Sequence, residues 1–229
     1  MHILIHQGSA KLPKTTKITI IIDVIRAFTV AHYAFLQGIK RIMLAETVEQ
    51  AFQIKMENPD FLLAGEVDGL PIEGFDLDNS PYHISQKSLA GKTLVQKTTN
   101  GVRATLNCLT SEHLFVTGYT NAKITAQFVK ENFKNAKQNS VTIVASHPSG
   151  DDDLACAEYI KSILDGDRIS AKKVIERIKH SHAAKKFYEK NASFLREDID
   201  LCAKELDTDF VMKVNKNDEM PMIERVNVW

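Results

Sequence analysis

Ile18-Thr19-Ile20-Ile21-Ile22 is a continuous β-rich run that stops at Asp23. A short run without polar alternation is the pattern of a strand covered on both faces. Residues 24–36 follow with helical spacing and are closed by Gly38. The same alternation spreads outward from this unit. Residues 41–45 read as a strand. Thr47-Val48-Glu49-Gln50 fits a capping box, and its helix runs toward Met56 before Asn58-Pro59 stops it. Residues 61–64 form a strand ending in Gly65-Glu66, and residues 93–96 a strand followed by Thr98-Thr99-Asn100-Gly101 and a helix to Leu109. Residues 114–117 are a strand, with a helix from Thr120-Asn121 to about Phe133. Residues 141–145 are a strand, residues 146–153 a polar loop, and residues 154–164 a helix.

Strand–helix alternation of this kind implies an α/β protein with a mostly parallel sheet and helices on both faces. No linker, repeat or low-complexity tract divides residues 1–229, so the chain reads as a single domain, in one large unit or two intertwined halves. Residues 67–90, rich in Gly, Pro and Asp with little periodicity, read as a functional loop. The last third is helical. Its residues 168–190 are basic, with Arg168, Lys172, Lys173, Arg177, Lys179, Lys185, Lys186 and Lys190; residues 196–209 lean acidic. The ordinary reading is two solvated faces of opposite sign, and the sharper one an anion-attracting rim. Residues 222–228 read as a closing strand.

Composition excludes more than it identifies. The chain of 229 residues carries 29 Lys+Arg against 29 Asp+Glu, a balance unlike that of a nucleic-acid or anionic-membrane binder. Cys108, Cys156 and Cys202 are odd in number and far apart, which argues against a disulfide framework or a zinc cluster. The N-terminus lacks the pattern of a signal peptide and the longest apolar run is far too short to span a bilayer. A cytoplasmic protein is expected. There is no GxxxxGK[ST], no GxGxxG after the first strand and no GxSxG. The histidines form no HExxH or close pair, with His147, at a strand end, the one to watch.

In a parallel sheet, ligands sit beyond the carboxyl ends of the strands. There the sequence places Asp23 with Arg26, Gly65-Glu66, Thr98-Thr99-Asn100-Gly101 with Arg103, Gly118 with Asn121, and Ser146 through Asp153. The loop from Gly74 to Pro81 adds Asp76, Asp78, Asn79 and Ser80. Carboxylates are ligands for Mg²⁺. Hydroxyls, backbone N–H groups and arginines hold a phosphoryl group. Each piece also has an ordinary structural reading. Asp23 is a preferred helix cap, Asn100-Gly101 a turn, Arg103 a surface residue and Asp151-Asp152-Asp153 an acidic first helical turn.

Taken in order, these segments resemble the 2-phosphosulfolactate phosphatase (ComB-like) family. The resemblance rests on Ile22-Asp23-Val24-Ile25-Arg26-Ala27, Ala64-Gly65-Glu66, Gly74-Phe75-Asp76-Leu77-Asp78-Asn79-Ser80-Pro81, Thr98-Thr99-Asn100-Gly101-Val102-Arg103-Ala104, Gly118-Tyr119-Thr120-Asn121-Ala122 and Asp152-Asp153-Leu154-Ala155-Cys156-Ala157. It implies a three-layer α/β/α architecture and a Mg²⁺-dependent phosphatase acting on a small phosphorylated 2-hydroxy acid. Catalytic roles then fall to Asp23, Arg26 and Arg103, with Asp23 either a metal ligand or a covalent nucleophile. Phosphate binding falls to Thr98, Thr99, Asn100, Gly101, Asn79, Ser80 and Asn121, and metal ligation to Asp153, Asp76 and Glu66. Two positions depart from the family's usual pattern: Val67-Asp68 in place of Arg-Gly, and Asp78 in place of Gly. The competing class is a non-catalytic anion or metabolite binder on the same scaffold. An interface between copies of the chain is compatible with an enzyme of this size.

Overall fold

In the computed structural model the apolar run forms β2 (Ile18–Ile22), buried at every position. Its side chains alternate between two cores, Ile18, Ile20 and Ile22 facing one and Ile21 the other. The structure describes residues 2–9, 16–133, 140–167, 169–189, 193–216 and 220–228; Arg168 and Lys190 of the basic stretch lie outside them. The remaining strands are β1 (His2–Gln7), β3 (Arg41–Leu44), β4 (Leu62–Val67), β5 (Leu70–Pro71), β6 (Thr93–Lys97), β7 (His113–Thr117), β8 (Ser140–Ala145), β9 (Phe210–Asn215) and β10 (Met222–Asn227). The helices are α1 (Ala27–Leu36), α2 (Val48–Glu57), α3 (Pro81–Ser85), α4 (Gly101–Asn107), α5 (Ala122–Asn132), α6 (Asp151–Asp165), α7 (Ala171–His180), α8 (His182–Lys185) and α9 (Arg196–Cys202). Thr47 caps α2 as expected, accepting from the Gln50 N–H at 3.1 Å.

Among the described residues one ten-stranded sheet runs in the order β1-β8-β2-β7-β9-β10-β3-β6-β4-β5. It is an α/β sheet, mostly parallel and mixed. β1, β8, β2 and β7 form one parallel block, and β3, β6 and β4 a second. The hairpin β9–β10 joins them, antiparallel to β7 on one side and to β3 on the other. Each antiparallel step reverses direction, and three such steps leave the second block running opposite to the first. A flat sheet would therefore send the carboxyl ends of β2 and β6 to opposite edges.

Twist removes that difficulty. β2 and β6 are five steps apart, and at roughly 20–25° per step the accumulated twist is about 100–125°. Combined with the reversal, this leaves roughly 55–80° between the two strand directions, so their carboxyl ends can meet at one corner. The sheet curls around α1, whose residues Ala27 to Phe35 are all buried. A helix with no polar face must be enclosed. α1 packs with Ile21, Val116 and Val144 of the first block and with Ile42, Leu94 and Ala64 of the second. The Gln96 side chain on β6 donates to the Ala27 carbonyl at 2.8 Å. The opposite face of the first block is covered by α5, α6 and α7.

Two differences from the sequence expectation bear on the site. β4 continues through Gly65-Glu66 to Val67, so Glu66 lies on a strand and not beyond it. α6 begins at Asp151, so the acidic triplet is its first turn.

Candidate functional site

A cleft of about 550 Å³ opens at the corner where the two blocks meet. Asp23, Glu66, Asn79, Thr99 and Asn100 line it from the sheet side, and His147 from the loop after β8. Arg26 and a wall formed by His182, Lys185, Lys186 and Phe187 face them.

Asp23 is 6 % exposed. Its Oδ1 accepts from the Ala27 N–H at 2.9 Å and its Oδ2 from the Ser146 hydroxyl at 3.3 Å. Asp153 stands behind it, accepting from Val24 N–H at 2.7 Å, His147 N–H at 3.1 Å and Ser146 Oγ at 3.2 Å. Burial, reinforced by the charges of Glu66 and Asp152, raises the Asp23 pKa to about 7. Burial likewise lifts Asp152 to about 6, and burial together with Asp152 and Asp23 pushes Asp153 well above the carboxylate range. Of the acidic triplet, only Asp151 is partly solvated, paired with Arg177. One buried oxygen of Asp152, Oδ1, has no hydrogen-bond partner. The cleft floor thus presents Asp23 and Glu66, with Asp152 and Asp153 buried behind them.

Glu66 ties two loops together. Its Oε1 accepts from Thr99 N–H at 2.5 Å, and its Oε2 from Gly69 N–H at 2.5 Å and from Thr99 Oγ1 at 3.0 Å. Thr99 Oγ1 in turn accepts from the Asp68 N–H at 2.9 Å, and Asp68 has a φ of 53°. The departure at Asp68 therefore leaves a carboxylate at the cleft, where the resembled pattern has a glycine.

Gly101 lies close against Asp23. A Cβ there would come 2.8 Å from Asp23 Oδ2 and 3.0 Å from the Ala27 Cβ. Its role is this close approach, and the Asn100-Gly101 pair opens α4 rather than a turn. Gly101→Ala is expected to shift the Asp23 carboxylate and to cut turnover by about 100-fold while the protein still folds. Steady-state assays beside circular dichroism check this, and near-normal turnover would show that the contact is not needed.

Arg26 is 6 % exposed and forms the hinge of the opposite wall. It donates to Asp198 Oδ2 at 2.8 Å and to the Gly69 carbonyl at 3.1 Å. Its guanidinium stacks over Phe187 and Phe194, 4.9 and 5.7 Å from the ring centroids. Asp198 also accepts from Ser80 Oγ at 2.6 Å and Tyr82 N–H at 3.1 Å. Phe187, Phe194, Ala184 and Ile199 form a small core that carries this wall.

The structure brings Asp23, Arg26, Glu66, Asn79, Thr99 and Asn100 together at the cleft, with Gly101 packed directly on Asp23. It does not gather Asp76, Glu66 and Asp153 around one point. Asp76 accepts from Leu63 N–H at 2.8 Å and Lys55 Nζ at 3.3 Å, at the far end of β4. Arg103 is exposed on α4, away from the cleft lining, because the helix turns its face to solvent. Thr98 is turned inward and caps α4 through Val102 N–H at 3.0 Å. Ser80 is occupied by Asp198 and by capping α3. Asn121 accepts from Thr117 Oγ1 and Gly118 N–H and pins the loop after β7.

Sequence reading missed His182, Phe187 and Asp198, and named Lys185 and Lys186 only within the basic stretch, with an anion-attracting rim as its sharper reading. The signal was the basic stretch, which proves divided. Arg177 pairs with Asp151 and Glu158, and Lys179 with Asp200, on the outer face. Lys185 and Lys186 turn into the cleft.

The sequence model of a family described as 2-phosphosulpholactate phosphatase matches residues 4–217. A "Probable 2-phosphosulfolactate phosphatase" of Bacillus subtilis (strain 168) is 53 % identical over 228 residues, covering 99 % of both chains. Proteins of the same name from Caldicellulosiruptor saccharolyticus and Clostridium acetobutylicum are 34 % and 36 % identical over 148 residues, each covering 63 % of this chain and 61 % of their own.

Proposed function

From the premise that the chain belongs to the 2-phosphosulpholactate phosphatase family, we propose that it hydrolyses 2-phosphosulfolactate to sulfolactate and inorganic phosphate. The observation that carries this reading is the polarity of the cleft: Asp23 and Glu66 on the floor, Arg26, Lys185 and Lys186 on the wall. A phosphomonoester bound through a divalent cation needs both signs of charge at once.

The floor fits Mg²⁺. This ion is held by one or two carboxylates, keeps several waters and takes the rest of its ligands from substrate oxygens. No group of three His, Cys, Asp or Glu side chains among the described residues is disposed to hold a metal ion, and Mg²⁺ does not require one. Asp23, raised to about 7 by burial and neighbouring carboxylates, lines the cleft, where a counter-ion can reach it. Asp23 and Glu66 would hold it, and once bound it would neutralise phosphoryl oxygens and acidify a water.

In the reaction the oxygen of water forms a bond to phosphorus as the ester P–O bond breaks. One water proton ends on the hydroxy-acid oxygen and the other stays on phosphate. Arg26 presents fixed positive charge from a guanidinium already oriented by Asp198 and two rings. The hydrogen bonds through Glu66 hold Thr99 and Gly69 at fixed positions, so the cleft needs little rearrangement. Asp23 Oδ1 accepts from Ala27 N–H, while Oδ2 shares the one Ser146 hydroxyl proton with Asp153. We take Asp23 as a metal ligand and not as a covalent nucleophile, because its charge lines the cleft where a cation would sit. Rapid quench is expected to trap no phosphoenzyme; an aspartyl phosphate on Asp23 would overturn this assignment.

The activity itself is checked by phosphate release from 2-phosphosulfolactate with Mg²⁺, then with EDTA, then with Mg²⁺ restored. Release is expected in the first and third conditions and loss in the second. No release from this or any other 2-hydroxy-acid phosphate, with the compound still bound, would make the chain a binding protein. Release indifferent to EDTA would remove the metal from the reading.

A further inference from the structure

Lys186 differs from every other cation at the cleft floor and wall. It is only partly exposed, and among the described residues it makes no hydrogen bond and no ion pair. Its ammonium lies 4.3 Å from the Phe194 ring centroid and 5.8 Å from that of Phe187. The position is tight: a side chain on Gly69 would place its Cβ 2.5 Å from the ammonium. Arg26 beside it is already committed to Asp198 and the Gly69 carbonyl. Glu66, the nearest acid in charge terms, gives its oxygens to Thr99 and Gly69. Burial, helped by the Arg26 charge, lowers the Lys186 pKa. A cation desolvated without a carboxylate to pair with is an arrangement that an anion in the cleft would relieve.

We propose that Lys186 is a specificity residue that binds an anionic group of the substrate other than its phosphate, the carboxylate or sulfonate carried on the hydroxy-acid skeleton. This rests on the phosphatase reading above. The phosphate belongs with the floor carboxylates and their cation. Lys186 stands on the facing wall, held at a fixed distance by the Phe187–Phe194 pair, whose centroids are 5.2 Å apart. An ammonium presents three donors and no acceptor, and so accepts an oxyanion of either kind. Gly69 leaves the space beside it that a side chain would fill.

The test compares three phosphate esters in the presence of Mg²⁺: 2-phosphosulfolactate, 2-phospholactate, which lacks the sulfonate, and isopropyl phosphate, which lacks both further anions. Lys186→Met keeps the aliphatic stem and the packing on Phe194, so it should fold, as a melting curve will show. The ratio of kcat/KM for 2-phosphosulfolactate to that for isopropyl phosphate is expected to fall about 30-fold in this variant, in keeping with one lost charge-assisted hydrogen bond. The change should lie in KM, and Lys186→Arg should recover most of it. The 2-phospholactate value tells which anion is held: a full loss there assigns the carboxylate, and no loss the sulfonate. An equal fall for the sulfonated and the bare ester, or none, would overturn the proposal. Calorimetric binding of sulfolactate, which has no phosphate, gives a measure independent of turnover. At least 10-fold weaker binding to Lys186→Met is expected, and equal affinity would overturn the inference. A wild-type protein that binds sulfolactate through Lys186 but releases no phosphate would remove the phosphatase reading and leave the subsite standing.

Discussion

Asp23→Asn should lose turnover by about 10³-fold and gain thermal stability in the metal-free state. The two effects share one cause. Asparagine is isosteric, so Oδ1 can still accept from Ala27 N–H and the amide can face Ser146. What disappears is a negative charge in a buried site. For turnover, that charge is the ligand and counter-charge for a cation on the phosphoryl group, and such groups are worth several kcal/mol in the transition state. For stability the sign is opposite. The folded-state pKa of Asp23, about 7, lies above the ordinary 3.8. The folded protein therefore keeps a proton that the unfolded chain has lost between those values. Its contribution to stability is full below pH 3.8 and is lost as pH rises through about 7. Wild-type protein in EDTA should melt at a lower temperature at pH 8 than at pH 5, and added Mg²⁺ should help most at pH 8. Asp23→Asn should flatten that pH dependence and melt roughly 5–10 °C higher than wild type at pH 8 in EDTA. Near-normal turnover in a folded variant would end the role given to Asp23. An unchanged melting profile would mean that its carboxylate is not held in the charged, buried state described.

Arg26→Ala should destabilise the protein and abolish activity together. The substitution strands Asp198, whose side chain is fully buried, with Ser80 and Tyr82 as its remaining donors. Removing one partner of a buried pair costs about 3–5 kcal/mol, and the stacking on Phe187 and Phe194 is lost as well. In a chain of this length the melting temperature should fall by roughly 10 °C or more. Removing both charges should hurt less than removing one. Arg26→Met with Asp198→Asn is expected to regain a good part of the stability, since the buried carboxylate no longer lacks a partner. It should regain none of the activity. Recovery of activity would show that Arg26 serves only to hold α9; a double variant less stable than Arg26→Ala would show that the pair is not the source of the cost.

Much of the architecture was legible because its signals are local. The five-residue run at Ile18, the cap at Thr47 and the apolar segments read at 93–96, 114–117 and 141–145 each carry their own signal. β1 and β9 were not read. β1 is a half-exposed edge strand in which only Ile3 and Ile5 pack on the core, and β9 follows an acidic segment that resembles the helix before it. Missing β9 hid the reversal of the second block, because a hairpin's direction is a property of pairing and not of any one segment. At the site, Asp23, Arg26, Glu66 and the Thr99–Gly101 segment announced themselves as polar residues at strand ends. Asp76 and Arg103 looked the same in sequence, and only their hydrogen bonding and exposure separate them. Lys185 and Lys186 were concealed by their neighbours, since a run of lysines on a short helix gives no clue to which of them faces inward.

The hairpin β9–β10 has a consequence for how the protein is made. It supplies the two middle strands of the sheet, yet it lies C-terminal to every strand that it joins. Until residues 210–227 emerge, the two parallel blocks have no strand between them, and both present an unpaired edge. The corner that holds Asp23 against Gly101 cannot be fixed before that moment, so the cleft is completed only once residues 210–227 have been made. Neither block can complete the site by itself, and until the hairpin pairs, its two neighbours are exposed edges open to wrong pairing.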